Sequence, residues 1–286
     1  MNKTKLYILT AAGLALSALA AMVTALTMPS RQTMDLNLTR VADIRFAVQP
    51  IMGTEATRKA YQPLADYIAG ATGKSVELIT TYNYTEYWSR MKTGKEFNLI
   101  LDAPFYIDYR IKNQGHVPLV KVPGVISNSL VTRADAGILD ISELIGKKVA
   151  TITPPSPGSL ILQKLFTKAA RQPYLVSAKS SEHALEMVLN GTVVAAIVPT
   201  PLVGQAMSQG NELFLLETTP PIPHIALTAG PDIDVATREI ITKALLDASK
   251  TAKGLAILKA IGFEEGFETA APEIYMGYSE YLNQQW

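Results

Sequence analysis

Two serines and a glycine, Ser156, Gly158 and Ser159, stand where an apolar run gives way to an amphipathic one. The segment is KKVATITPPSPGSLILQKLF, residues 147–166. Its pattern predicts a buried strand, a proline-rich loop and a helix whose first free N–H groups emerge beside the hydroxyls. A helix start of that kind draws an anion or a strongly polar group. The competing use of Ser156 is an ordinary N-cap. No nucleophile–base pair accompanies the loop, so the chemistry it offers is binding. The GxSxG elbow and the Walker and Rossmann glycine patterns are missing from the chain. There are no cysteines, and the three histidines, His116, His183 and His224, lack metal spacing. Neither a cofactor nor a catalytic or metal site is expected.

Further candidates lie at other strand ends. Thr54, in QPIMGT, follows a first strand and would contact a solute or simply start a helix. Tyr82 and Tyr84, in TYNYTEYW, would line a pocket or pack in a core. Asp102 closes the apolar run FNLIL. It would face a solute, preferably a cationic or zwitterionic one, or cap the helix that starts at Pro104. His224, in PPIPHIAL, sits in a proline-rich return segment.

These residues need a scaffold of alternating elements. Strands are predicted at 44–48, 75–79, 97–101, 117–122, 148–152, 174–177, 193–198 and 213–216. Helices are predicted at 57–71, 85–91, 104–113, 159–170, 181–189, 201–209 and, with an interruption at Gly254, 235–261. Short apolar strands between helices imply an α/β fold of mostly parallel sheets flanked by helices. The series restarts near Lys147, which gives two lobes: 44–129 with 224–286, and 130–223. Extended segments join them, with hinges expected at 128–132 and 223–228.

Composition narrows the function. With 26 basic and 25 acidic residues the net charge is +1, and no basic block or basic–aromatic interleave invites nucleic acid. A hydrophobic share of 48% supports a sizeable core. Residues 1–5 carry Lys3 and Lys5, and residues 6–28 carry no charge. That is the form of a cleaved secretory signal or of an uncleaved membrane anchor, and both leave the rest outside the cytoplasm. Residues 29–43 read as a linker.

The chain resembles the periplasmic solute-binding proteins of phosphonate- and phosphite-type ABC importers, of the type II binding-protein fold. The resemblance rests on the order and spacing of RFAVQP, KAYQPLADYIAGATGKSVEL, TYNYTEYWSRMKTGKEFNLIL, GVISNSLVTRAD, ISELIGKKVATI, SPGSLILQKLF, SSEHALEMVLNGTVVAAIVPT and PPIPHIAL. It implies a monomeric receptor that closes on a small polar solute, an oxyanion or phosphonate-like compound, and hands it to a membrane permease. The family's ligand tyrosine falls on Tyr84, and its hydroxyl-rich helix start on Ser156–Ser159. Ser180 stands near the place of a family histidine. Residues 192–200, which end in Thr200, carry no counterpart of a family acid. A sensor that signals to a membrane histidine kinase is the alternative, and an enzyme on the same fold is the third.

Overall fold

The computed structural model describes residues 41–282. The chain divides into two units, Met1–Val41 and Ala42–Trp286, and the fold below is that of the second. The expected signal or anchor at 1–28 lies outside the described residues. Among the described residues, no helix is long and apolar enough to cross a membrane.

The first series runs β1 (Ile44–Val48), α1 (Thr54–Thr72), β2 (Val76–Ile79), α2 (Tyr84–Met91), β3 (Leu99–Asp102), α3 (Pro104–Gln114) and β4 (Val117–Lys121). Two strands follow, β5 (Val125–Ile126) and β6 (Asn128–Arg133). The second series is β7 (Lys148–Ile152), α4 (Pro157–Leu165), β8 (Tyr174–Ala178), α5 (Ser181–Leu189), β9 (Ala195–Pro199), α6 (Thr200–Ser208) and β10 (Leu213–Thr218). The chain returns through β11 (Ile222–Pro223) and β12 (Ala226–Ala229) to α7 (Val235–Leu246), α8 (Ala252–Ala260) and β13 (Glu268–Thr269).

Local chemistry sets the helix limits. α1 buries Tyr61, Leu64, Ala65 and Ile68, the face its periodicity predicts. It stops at Gly73, whose φ of 67° lies in the left-handed region that a side chain disfavours. Asn83 caps α2 by accepting from the Glu86 amide at 2.9 Å. Pro104 opens α3, where its missing N–H leaves no bond unmade.

Two sheets result, ordered β13-β4-β12-β3-β1-β2 and β10-β6-β9-β7-β8. The two-sheet α/β architecture is the expected one, but pairing within each sheet is mixed. β1 runs parallel to β2 and β3, and β7 to β8 and β9. β12 is antiparallel to β3 and β4, and β6 to β9 and β10. The crossing strands enter each sheet from the opposite direction, and hydrophobic periodicity carries no strand direction. The hinge expectation changes for the same reason. Most of 128–132 and 223–228 is interior strand, bonded on both sides as β6 and β12. The crossing lies at β5 and β11, which pair only with each other.

One apolar core lies between the first sheet and α1, α7 and α8, and another covers the second sheet with α5 and α6. A third runs across both halves. It joins Tyr84, Tyr87, Phe105 and Tyr106 to Leu130, Val149, Leu160 and Ile161. The 3-10 turn Tyr278–Tyr281 packs on the same cluster, with Tyr281 5.0 Å from Phe105 and under Lys164 at 5.0 Å.

Asp102 is neither a cap nor open to a solute. Ala103 holds the N-cap position of α3 without a side-chain bond. Asp102 is fully buried, and Arg110, one and a half turns into α3, grips both its oxygens at 2.6 Å. Tyr87 donates its hydroxyl to the same carboxylate. Arg110 also donates to Thr228 Oγ1 on β12 at 3.0 Å, and His116 Nδ1 meets that hydroxyl at 3.2 Å. A buried carboxylate needs such a partner because its desolvation is otherwise uncompensated.

Removing one member of this pair leaves a buried charge alone. Arg110→Leu is expected to cost about 3–5 kcal/mol in urea unfolding, with part of it recovered in Asp102→Leu/Arg110→Met. A loss below about 1 kcal/mol would contradict the burial argument. His116 gives a second expectation. Burial, then the Arg110 and Arg238 charges, push its pKa down to about 3, against about 6.5 in an unfolded chain. The unfolded state therefore binds the extra proton in between. The stabilising contribution is full above about pH 6.5 and is lost as pH falls toward 3. The drop in melting temperature from pH 7 to pH 4 should be smaller in His116→Asn than in the parent, and equal drops would refute it.

Candidate functional site

The carboxyl ends of four parallel strands meet in one cleft of about 650 Å³. On one wall stand Pro50, Met52, Gly53, Thr54, Glu55 and Ala56 after β1, with Tyr82 and Asn83 after β2. The facing wall is Ile152 and Thr153 at the end of β7 and Ser177, Ala178 and Lys179 at the end of β8. Open α/β sheets bind their ligands at this edge, where loops converge and helix starts point. A shallower groove of about 470 Å³ runs beside α7, lined by Leu119, Val235, Leu246 and charged residues that include the Lys243–Asp247 pair. No strand end opens into that groove.

The start of α1 gives the cleft its polarity. Gly53 occupies the N-cap position and offers no side-chain cap. The amides of Thr54, Glu55 and Ala56 precede the first intrahelical donor, the Thr57 N–H that bonds Gly53 O, and have no acceptor among the described residues. Across the cleft, Lys179 is exposed and has no ion pair among the described residues. Its backbone is fixed, because its N–H donates to His183 Nδ1 at 3.2 Å. Next to the cleft lining, Thr81 is 4% exposed and its hydroxyl has no hydrogen-bond partner among the described residues.

The two walls are tied at one end. Thr85 Oγ1, on α2, donates to Pro154 O at 2.8 Å, and the Tyr106 hydroxyl donates to Pro155 O. These bonds hold the proline-rich loop after β7 against the helices of the first sheet.

The structure brings two of the expected residues, Thr54 and Tyr82, into the cleft lining. The others have different work. Ser156 is buried at the N-cap of α4. Its Oγ donates to Ile152 O at 2.6 Å and accepts from the Ser159 amide at 3.3 Å. Ser159 Oγ donates to Ser156 O at 2.8 Å. Both hydroxyls thus close the helix end that was expected to hold a solute. Gly158 is a packing residue. A Cβ there would lie 2.8 Å from Thr151 Oγ1 and 3.3 Å from Ile197 Cγ2. Tyr84 is fully buried, stacks on Tyr106 with centroids 6.0 Å apart, and donates to Gln49 Oε1 at 3.1 Å. Burial, and then the Asp102 carboxylate, push its phenol pKa well up.

Ser180 caps α5, accepting from the His183 amide at 3.2 Å, one residue beyond the cleft lining. Thr200 opens α6 beside the crossing. Its Oγ1 accepts from Ser127 Oγ at 2.8 Å and meets Ser129 Oγ at 2.9 Å. His224 is half-buried against Phe263, with its Nδ1 accepting from the Ile225 amide at 2.9 Å. Burial, and then Lys121, lower its pKa to about 4. It does not line the cleft. Sequence reasoning passed over Met52, Thr153, Ser177 and Lys179. The signal for Lys179 was its place between the predicted strand 174–177 and the helix start at Ser180.

Comparison with known proteins gives a consistent picture. A family model described as "ABC transporter, phosphonate, periplasmic substrate-binding protein" matches residues 46–275. No protein of curated function matches the chain. Among solved structures, PhnD1 of Prochlorococcus marinus in complex with methylphosphonate superposes with a TM-score of 0.70 at 13% identity, over 83% of this chain and 96% of that one. XAC2383 of Xanthomonas citri, bound to ATP, gives 0.68 at 14% identity over 85% and 99%. PA3383 of Pseudomonas aeruginosa, a binding-protein component of an ABC phosphonate transporter, gives 0.67 at 13% over 84% and 85%. At these identities the likeness is one of fold.

If Gly158 is there for packing, its substitution has a structural signature. Gly158→Ala should destabilise by about 1–2 kcal/mol, although alanine is the better helix former, because overpacking outweighs propensity. Adding Thr151→Ala should recover most of the loss in thermal unfolding. Full stability in the single variant would contradict the close approach.

Proposed function

We infer what this chain does from its kinship: it belongs to the periplasmic substrate-binding protein family of phosphonate ABC transporters. Its role is to bind a solute for an ABC importer. The solute we propose is a small anionic compound, an oxyanion or phosphonate-like, held in the cleft between two lobes, 44–129 with 224–286 and 130–223. One arrangement carries this reading. An uncapped helix start on one wall, with amides at Thr54, Glu55 and Ala56, faces Lys179 on the other, a lysine with no ion pair among the described residues. Aligned amides favour negative charge, and a charge-assisted bond from an ammonium adds to them. Ser177 and Thr153 on the second wall add hydroxyl groups to this lining.

Closure would turn about β5 and β11, and the solute would favour the closed state by contacting both walls at once. Binding without turnover is the activity proposed. The partner proposed is a permease rather than a sensor kinase, with the receptor monomeric and outside the cytoplasm, exported by residues 1–28 as a signal or an anchor.

A thermal-shift series on the full chain tests the ligand class. Phosphate, phosphite or methylphosphonate should raise the melting temperature in a concentration-dependent way, since a ligand that binds only the folded state stabilises it by mass action. Lys179→Glu should weaken that anion at least about tenfold. A shift with amines alone, or an unchanged affinity in Lys179→Glu, would sink the reading.

A further inference from the structure

The cleft offers more room and more apolar wall than a bare oxyanion uses. Its volume is about 650 Å³, and this is with the walls already in contact through Thr85 and Pro154. An oxyanion of five heavy atoms displaces on the order of five waters, ~150 Å³ at most. Spaces of roughly 300–1,000 Å³ house organic ligands of drug-like size.

Apolar groups stand on both sides of the cleft. Met52 belongs to one wall, and Ile152 and Ala178 to the other. Tyr82 is the distinctive member. It is 81% exposed, whereas Tyr84, Tyr87, Trp88 and Tyr106 of the neighbouring elements are at most 7% exposed. It has no aromatic or cationic partner among the described residues. Its backbone is nonetheless held, because its N–H donates to Glu86 Oε2 at 2.9 Å and Glu86 pairs with Arg90 at 3.1 Å. A ring presented on a fixed backbone at a cleft wall is a stacking surface that water solvates poorly.

The charges in the cleft give the solute a direction. Glu55 lies on the wall of Tyr82, and Lys179 on the facing wall. An anionic group is repelled by the Glu55 carboxylate itself and drawn to Lys179 and to the free amides at the start of α1 that face it.

We propose that the solute is an organic anion, a phosphonate or phosphate ester with a ring-sized body. Its anionic group lies between Lys179 and the amides that start α1, and its body packs over Tyr82 and Met52. This rests on the cleft being the solute site, as proposed above, and adds the class of solute that it selects. Tyr82 then sets selectivity for the body, not for the anion.

Isothermal titration of the full chain with inorganic phosphate, methylphosphonate and phenylphosphonate tests it. Phenylphosphonate should bind at least about tenfold tighter than methylphosphonate. In Tyr82→Ala the ratio of the two affinities should fall to near one, and in Tyr82→Phe it should persist. If phosphate or methylphosphonate binds as tightly as phenylphosphonate, the organic-body proposal fails while the anion site stands. The same holds if Tyr82→Ala leaves the ratio unchanged. If none of the three binds, the anion reading fails and this proposal falls with it.

Discussion

The ion pair between Asp102 and Arg110 is the constraint on which the cleft depends. A carboxylate at the end of β3, fully buried, is tolerable only because a guanidinium meets it in two-point geometry and a phenol completes its shell. The pair fixes more than itself. Arg110 lies on α3, so the orientation of that helix against β3 and β12 is set by the fork and by its bond to Thr228. The orientation of α3 in turn aims Tyr106, whose hydroxyl holds Pro155 and with it the loop after β7. One wall of the cleft is thus positioned by a buried charge pair that a solute does not touch.

Hydroxyls at helix starts illustrate why the site could be read only in part. A serine before a helix can satisfy the helix's own amides or a solute's oxygens, and the same atoms serve either use. The composition of Ser156–Ser159 is identical in both cases. What decides between them is depth. Ser156 and Ser159 lie beneath the surface, where an unmade bond is costly, so they bond to each other and to Ile152. Gly53 is the reverse case. A residue without a side chain looks uninformative in the sequence, yet it leaves the start of α1 uncapped and open to the cleft.

The fold was far more legible. The face of α1, the proline start of α3 and the alternation of strand and helix follow from local periodicity and local sterics, which sequence records directly. Strand direction and pairing partners are non-local, which is why β6 and β12 read as hinges although each is an interior strand. Arg110 was hidden for a related reason. In PFYIDYRIK a cation interrupts a helix that buries almost every other residue of its first turns, but its partner stands on a different element. Lys179 was the opposite omission, a plain surface lysine by composition that matters only because β8 ends at the cleft.

The closure proposed above has to be reconciled with the apolar cluster that spans both halves. Leu160 and Ile161 of α4 share it with Phe105 and Tyr106 of α3, and the turn at Tyr278–Tyr281 packs on both. Opening the whole interface would expose this surface to water, at a cost that scales with the apolar area uncovered. The cleft itself lies along β1, β2, β7 and β8, outside that cluster but for Ile152 at its margin. Motion about β5 and β11 can therefore widen the solute edge while the cluster acts as a fulcrum, provided that the rotation is small. Two-point contact by a solute across that edge then has only a modest conformational difference to overcome, so differential affinity for the closed state can be built from a few contacts at Gly53–Ala56, Tyr82 and Lys179.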